Sequence, residues 1–220
     1  MSAQSAMRVS EEELERRVAS LHFFKEIAEC DPQQMRAMVK KSRLYALKPG
    51  ETFLRRGEQD TWLYFLMRGE LLVCDPEDHT RVIGVLISGE VFGEISVITS
   101  DPRNMDIVVP DHVREVIVFA TNFAQLALPG NGGGMSLDTK LILYRQIAQI
   151  LRWRIELYRH WFPDAELVKI PFRRLAKQDG EDLAEAVESQ RQYARFLAIR
   201  LQQLNARLGP IPDDLSDPDG

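Results

Sequence analysis

Between Val91 and Ile107 the chain reads VFGEISVITSDPRNMDI, and the residues able to do chemistry crowd into this one stretch. Gly93 has no Cβ, so backbone N–H groups around it can come close to a ligand. Glu94, once ionised, only accepts hydrogen bonds, which suits a sugar hydroxyl and not a phosphate. Arg103, nine residues further on and preceded by Pro102, offers a planar fork of donors that matches phosphate oxygens. A helical turn over residues 94–98 would add unpaired N–H groups and a positive dipole end to the same place. The chemistry indicated is recognition of a compact phosphate ester that carries a ribose hydroxyl. Each residue also has an ordinary reading: Arg103 as a surface arginine paired to Asp101 or Asp106, and Glu94 as a carboxylate stabilised at a helix start. The combination and its spacing favour the ligand reading, because a motif draws its weight from its context.

Upstream stand Leu47-Lys48-Pro49-Gly50-Glu51, Arg56-Gly57-Glu58, Tyr64-Phe65-Leu66, Gly69 and Gly89-Glu90. Taken with these, the segment resembles the phosphate-binding cassette of cyclic-nucleotide-binding domains, the sensor of catabolite activators and of protein kinase A regulatory subunits, over residues 20–127. The resemblance implies a site made of Phe92, Gly93, Glu94, Ile95, Ser96, Arg103, Asn104 and Met105. Glu94 would hold the ribose 2′-hydroxyl and Arg103 the cyclic phosphate, with Gly93, Ile95 and the Asn104 N–H completing the cradle. Tyr144, on the helix that follows, is placed by its position to cap the base. The implied ligand is cyclic AMP or cyclic GMP, with no metal. The family carries Ala, Ser or Thr after the arginine, whereas this chain has Asn104 and Met105. That departure leaves the base open between adenine and guanine. It also leaves open a larger cyclic dinucleotide, or a scaffold that keeps the fold and has lost the ligand.

Composition bounds the alternatives. The chain has 220 residues, 45% hydrophobic and 28% charged, which is ordinary for a soluble globular protein. No run approaches the ~18 apolar residues of a membrane span, and Met1–Glu12 holds no apolar signal core, so the expectation is a cytoplasmic protein. Cys30 and Cys74 are far apart and His22, His79, His112 and His160 are scattered, so no metal or redox cluster is indicated. A net charge of −5 does not suit a broad nucleic-acid-binding face. No nucleophile elbow, Walker loop or paired catalytic carboxylates occur, and an enzyme is not expected.

The pattern along the chain predicts an α+β fold: N-terminal helices, a β-sandwich or jelly roll, and a C-terminal helical, coiled-coil region. Ser10 with Glu13 makes a capping box, and Asp31-Pro32 opens a second helix. From Arg43 to Phe123 short apolar segments separated by Gly50, Gly57, Gly69 and Gly89 predict strands, the last over residues 113–119. The domain boundaries drawn are 1–19 for an N-terminal segment, 20–128 for the β roll, 129–135 for a glycine-rich hinge, 136–209 for a helical dimerisation or interaction region, and 210–220 for a disordered acidic tail.

Two heptad seams mark the helical region. One runs Leu137, Leu141, Tyr144, Ala148, Leu151, Ile155, Tyr158, Phe162, and the other Leu183, Val187, Gln190, Ala194, Leu197, Leu201, Leu204, Leu208, stopped by Gly209-Pro210. A seam of this kind needs a partner helix: either a second chain, making a homodimer, or the chain's own β domain and a companion helix in an antiparallel hairpin. The functional expectation is a cyclic-nucleotide sensor that dimerises and signals through these helices to an unidentified protein partner. The alternative is a transcription regulator of the catabolite-activator type with a diverged DNA-binding region. The long unbroken final seam suits a partner helix better than a groove-reading helix.

Overall fold

The computed structural model describes residues 10–19, 21–75, 77, 81–124, 134–171 and 182–209. Helices α1 (Glu11–Ala19), α2 (His22–Cys30) and α3 (Pro32–Lys40) come first. Strands β1 (Arg43–Leu47), β2 (Thr52–Leu54), β3 (Trp62–Arg68), β4 (Glu70–Cys74), β5 (Val82–Ile87), β6 (Val91–Phe92), β7 (Asp106–Val108) and β8 (Val116–Asn122) follow, with α4 (Glu94–Thr99) between β6 and β7. Helices α5 (Leu137–Trp161) and α6 (Leu183–Leu208) come last, with a 3₁₀ turn at Glu166–Val168 between them.

Local chemistry sets the element starts. The Glu13 N–H donates to Ser10 Oγ at 3.3 Å, and the Gln34 N–H donates to Asp31 Oδ1 at 3.1 Å with Pro32 at the first helical position. The last strand begins at Val116, later than the apolar clustering suggests. Residues 110–114 are spent on a turn in which the Val113 N–H donates to Pro110 O at 3.2 Å.

The strands form two antiparallel four-stranded sheets, ordered β1-β8-β3-β6 and β2-β7-β4-β5. They face one another as the expected β-sandwich. Side-chain alternation on β3 and β8 decides what packs where. Tyr64, Leu66, Val116, Val118 and Ala120 point between the sheets, joining Phe53, Leu71, Phe92 and Ile107. Leu63, Phe65, Ile117 and Phe119 point the other way, into a second core shared with the helices. Both faces of these two central strands are therefore buried, which is why they read as continuous apolar runs.

Helix α5 lies in the second core, and its N-terminal half is buried all round: the consecutive residues Leu141, Ile142, Leu143 and Tyr144 are all buried. One side meets α2, where Arg145 pairs with Glu26. The other side meets α6, and the two predicted seams face each other within one chain. Their direction corrects the antiparallel hairpin expected from the sequence. Tyr144 sits in the field of Glu188 and Arg191, and the Tyr158 hydroxyl is 2.8 Å from Asn205 Oδ1. Both contacts advance in the same sense along both helices, so α5 and α6 run parallel. The 3₁₀ turn at Glu166–Val168 packs on both helices. The two seams pack on each other here, inside the chain.

The glycine-rich stretch predicted as a hinge lies outside the described residues apart from its end, as does the acidic tail from residue 210 onward. Gly134 and Met135 are anchored: Gly134 O accepts from Gln34 Nε2 at 2.9 Å, and Met135 is 3% exposed.

Candidate functional site

The short strand β6 delivers Phe92 to the inner core, where its ring stacks on Tyr64 with centroids 5.2 Å apart. The chain must then turn sharply into α4, and Gly93 does this at φ 86°, a left-handed conformation that costs little only for glycine. A Cβ there would lie 2.5 Å from Arg103 Nη1. Gly93 therefore serves both the turn and the close approach of the guanidinium.

Arg103 is 4% exposed, and its backbone is fixed on both sides to the loop after β2. Its N–H donates to Glu58 O at 2.9 Å, and its carbonyl accepts from the Gly57 N–H at 2.8 Å. The guanidinium reaches back along the same loop. Nη2 donates to Asp60 Oδ1 and to Trp62 O (2.7 Å), Nη1 to Gly93 O (2.8 Å), and Nε makes a long contact of 3.4 Å to Asp60 Oδ2. Of the five guanidinium N–H donors, these contacts use four and leave one Nη1–H. The ring of Tyr64 lies 5.3 Å from the guanidinium carbon, and its hydroxyl donates to Asp60 Oδ2 at 3.3 Å. Burial, reinforced by the Asp60 charge, pushes the Tyr64 phenol far above its ordinary range, so it remains a donor. The surface pairing of Arg103 with Asp101 or Asp106 weighed from the sequence is thus replaced by a buried pairing with Asp60. Asp106 instead accepts the Arg56 N–H at 2.6 Å.

Glu94 is the first residue of α4 and is 1% exposed. Its carboxylate does not rest on the helix start alone. Arg154, on α5, donates from Nη1 to Glu94 Oε1 at 2.5 Å and from Nη2 to Val91 O at 2.7 Å. Helix α6 closes over the same region: it packs on α4, and Gln202 Nε2 donates to Asp101 Oδ2 at 3.2 Å.

These elements enclose a cavity of about 110 Å³. Eight of the nine residues proposed from the sequence line it: Phe92, Gly93, Glu94, Ile95, Ser96, Arg103, Asn104 and Met105. The ninth does not. Tyr144 is 3% exposed and packs toward α6 beside Glu188 and Arg191; burial raises its phenol to about 12. The inner sheet face adds Leu54, Val73, Leu86 and Ile107, and the tail helices add Arg154 and Asn205. Asp60, Arg154 and Asn205 are the residues that sequence reading missed. Asp60 had one available signal, as an acidic residue just past the Arg56-Gly57-Glu58 turn. Arg154 and Asn205 had none. Cys74 is buried and burial raises its thiol, whereas Cys30 is exposed. Among the described residues no group could hold a metal ion, and no helix is long and apolar enough to cross a membrane.

With that geometry in place, the comparisons with known proteins are specific. Residues 45–128 match the model of the cyclic nucleotide-binding domain. This segment belongs to that family, and the chain carries a cyclic nucleotide-binding β-sandwich flanked by helices. The chain is 26% identical over 165 residues to the cyclic nucleotide-gated channel beta-3 of Homo sapiens, covering 75% of this chain and 17% of the channel. It is 30% identical over 87 residues to a cyclic nucleotide-gated potassium channel of Rhizobium etli, covering 37% of this chain and 23% of that one. The match thus spans less than a quarter of either channel's length. Among solved structures, a cyclic nucleotide-binding domain from Methylobacillus flagellatus superposes with a TM-score of 0.52 at 18% identity, over 70% of this chain and 84% of that one. That likeness is one of fold.

Proposed function

We propose that the chain is a cyclic-nucleotide-binding regulatory protein whose two C-terminal helices report whether the site is filled. The observation that carries the reading is the convergence of Glu94 and Arg103 on one cavity whose roof is made by α5 and α6. Arg103 keeps one Nη1–H for a phosphate oxygen while the rest of its fork is held by Asp60 and two carbonyls, so the charge is placed before a ligand arrives. Asn104, which follows Arg103 on the cavity wall, contributes its backbone N–H as a neutral donor in this reading. Glu94 accepts from a ribose hydroxyl only to the extent that Arg154 shares or yields it. The cavity of about 110 Å³ is below the ~300 Å³ lower end for sites that enclose a drug-sized ligand. Entry of a nucleotide therefore requires the Arg154–Glu94 contact or the α6 cover to shift. Ligand binding and tail movement become one equilibrium, and the moved helices are what a protein partner would read.

The test is calorimetry with cyclic AMP and cyclic GMP on the wild-type chain and on Arg103→Lys, which keeps the charge and loses the fork. Binding by wild type with at least tenfold weakening in the variant is expected. No binding of either nucleotide to wild type, or equal affinities for the two proteins, refutes the reading.

A further inference from the structure

A second hollow of about 420 Å³ adjoins the inner cavity between α6 and the loop that leaves β4, and the two spaces share Asn104, Met105 and Asn205 as a common wall. The inner space, about 110 Å³, lies below the ~300 Å³ lower end for an enclosed ligand. A nucleotide whose phosphate sits at Arg103 therefore carries its base over this wall and into the outer hollow. The wall has two kinds of member. Asn205 belongs to α6 and travels with that helix, whereas Asn104 and Met105 belong to the roll and stay. Asn104 gives its N–H to the phosphate in the reading above, so Met105 is the roll side chain that the outgoing base meets wherever α6 lies.

Met105 is fixed at its backbone and uncommitted at its tip. Before it in sequence, Arg103 is bonded through its N–H to Glu58 and through its carbonyl to Gly57; after it, Asp106 is buried and accepts the Arg56 N–H at 2.6 Å. Two residues along, Ile107 on β7 lines the same cavity, as the alternation of a strand places every second residue on one face. Met105 itself is half-buried and belongs to neither apolar core. Methionine has three rotatable bonds and a polarizable sulfur, which suits it to lie against an aromatic ring and to adapt to its position.

We propose that Met105 is the platform on which the base rests, adding affinity for either purine without telling adenine from guanine. A thioether has no donor and only a weak acceptor, so it does not separate the N6 amine of adenine from the O6 of guanine. Contact of this kind grows with the area covered, and a two-ring base covers more of the side chain than the single ring of a pyrimidine. The place where the family carries a small residue thus becomes, in this chain, a contact that sorts bases by size. This inference rests on the cyclic-nucleotide reading above.

Calorimetry of the full chain with cyclic AMP, cyclic GMP and cyclic UMP tests it, using wild type, Met105→Ala, Met105→Ser and Met105→Leu, with melting curves to verify folding. Wild type is expected to bind cyclic UMP more weakly than either purine nucleotide. Met105→Ala and Met105→Ser, either of which suffices, should each weaken cyclic AMP and cyclic GMP by a common factor of about fivefold. Met105→Leu conserves the volume and should hold both within about twofold of wild type. Purine affinities that are unchanged or strengthened by the small substitutions, a loss confined to one purine, a leucine variant as weak as the alanine variant, or a wild type that binds cyclic UMP as tightly as the purines overturns the platform while the receptor reading stands. A wild type that binds no cyclic nucleotide overturns both.

Discussion

Two arginines reach the same cavity from regions built on different principles. Arg103 belongs to the β roll. Its backbone is fixed through Gly57 and Glu58, its guanidinium is held by Asp60 and two carbonyls, and its side chain is 4% exposed. Arg154 belongs to a helix that packs against the roll from outside. It makes two contacts to it, with Glu94 and Val91 O, and is 21% exposed. The first arginine is part of what the roll needs in order to fold. The second is tied to the roll by hydrogen bonds from its side chain alone, to Glu94 and Val91. A charged group that must meet a phosphate is best fixed in advance, whereas one that signals arrival has to be able to leave.

The largest expected effect tests the structural half of this contrast. Arg103→Ala leaves the Asp60 carboxylate and two carbonyls without their donor, and removing one partner of a buried ion pair costs about 3–5 kcal/mol. Urea unfolding should show a loss of that size; a loss under about 1 kcal/mol would mean that Arg103 is no anchor. Next in size is Glu94→Gln, which takes the charge from the Arg154 contact at nearly constant shape. A hydrogen bond to a charged group contributes about 1.5–3 kcal/mol, and the loss should be local. Hydrogen exchange is expected to quicken in α5 and α6 while β3 and β8 keep their protection, and uniform quickening across both regions would erase the distinction drawn here. The smallest effect lies wholly within the tail. Glu188 accepts from Arg191 Nε and Nη2 at 2.7 and 2.6 Å, and this bond, outweighing burial, holds its carboxyl below the ordinary range. A folded-state pKa below the unfolded value stabilises above the unfolded pKa of about 4.3, and that stability is lost as pH falls through the folded value. The pair is exposed (39% and 48%), so screening keeps the effect under about 1 kcal/mol. Glu188→Gln should be slightly less stable than wild type at pH 7 and indistinguishable at pH 3.

How much of this the sequence disclosed follows from the distance over which each contact acts. The cassette is local: Phe92 to Ser96 and Arg103 to Met105 come together because one turn and one short helix join them, and eight residues on the cavity wall were legible there. Asp60 is separated from Arg103 by 43 positions and Arg154 from Glu94 by 60, and no spacing rule connects such pairs. The α5 and α6 seams were legible as stripes, but a stripe looks the same to a parallel and an antiparallel partner. A parallel partner needs a connection able to span a helix of 25 residues, roughly 37 Å at 1.5 Å per residue, and that length requirement is invisible in either stripe. Tyr144 failed as a base cap for a related reason. Its seam position, with Leu141 and Ala148, turned it toward α6 and away from the cavity.

The double-sided burial of β3 and β8 bears on where this molecule can be cut. A fragment ending with the family segment at residue 128 would keep the sandwich, with Phe23 and Phe24 of α2 still packed on Phe65 and Phe119, yet lose Leu143, Ile147, Leu151 and Leu197 from the second core. Water would then meet the apolar sides of α2 and α4 that the long helices cover. The boundary of recognisable ancestry and the boundary of independent folding are different lines in this chain, and the second encloses the long helices.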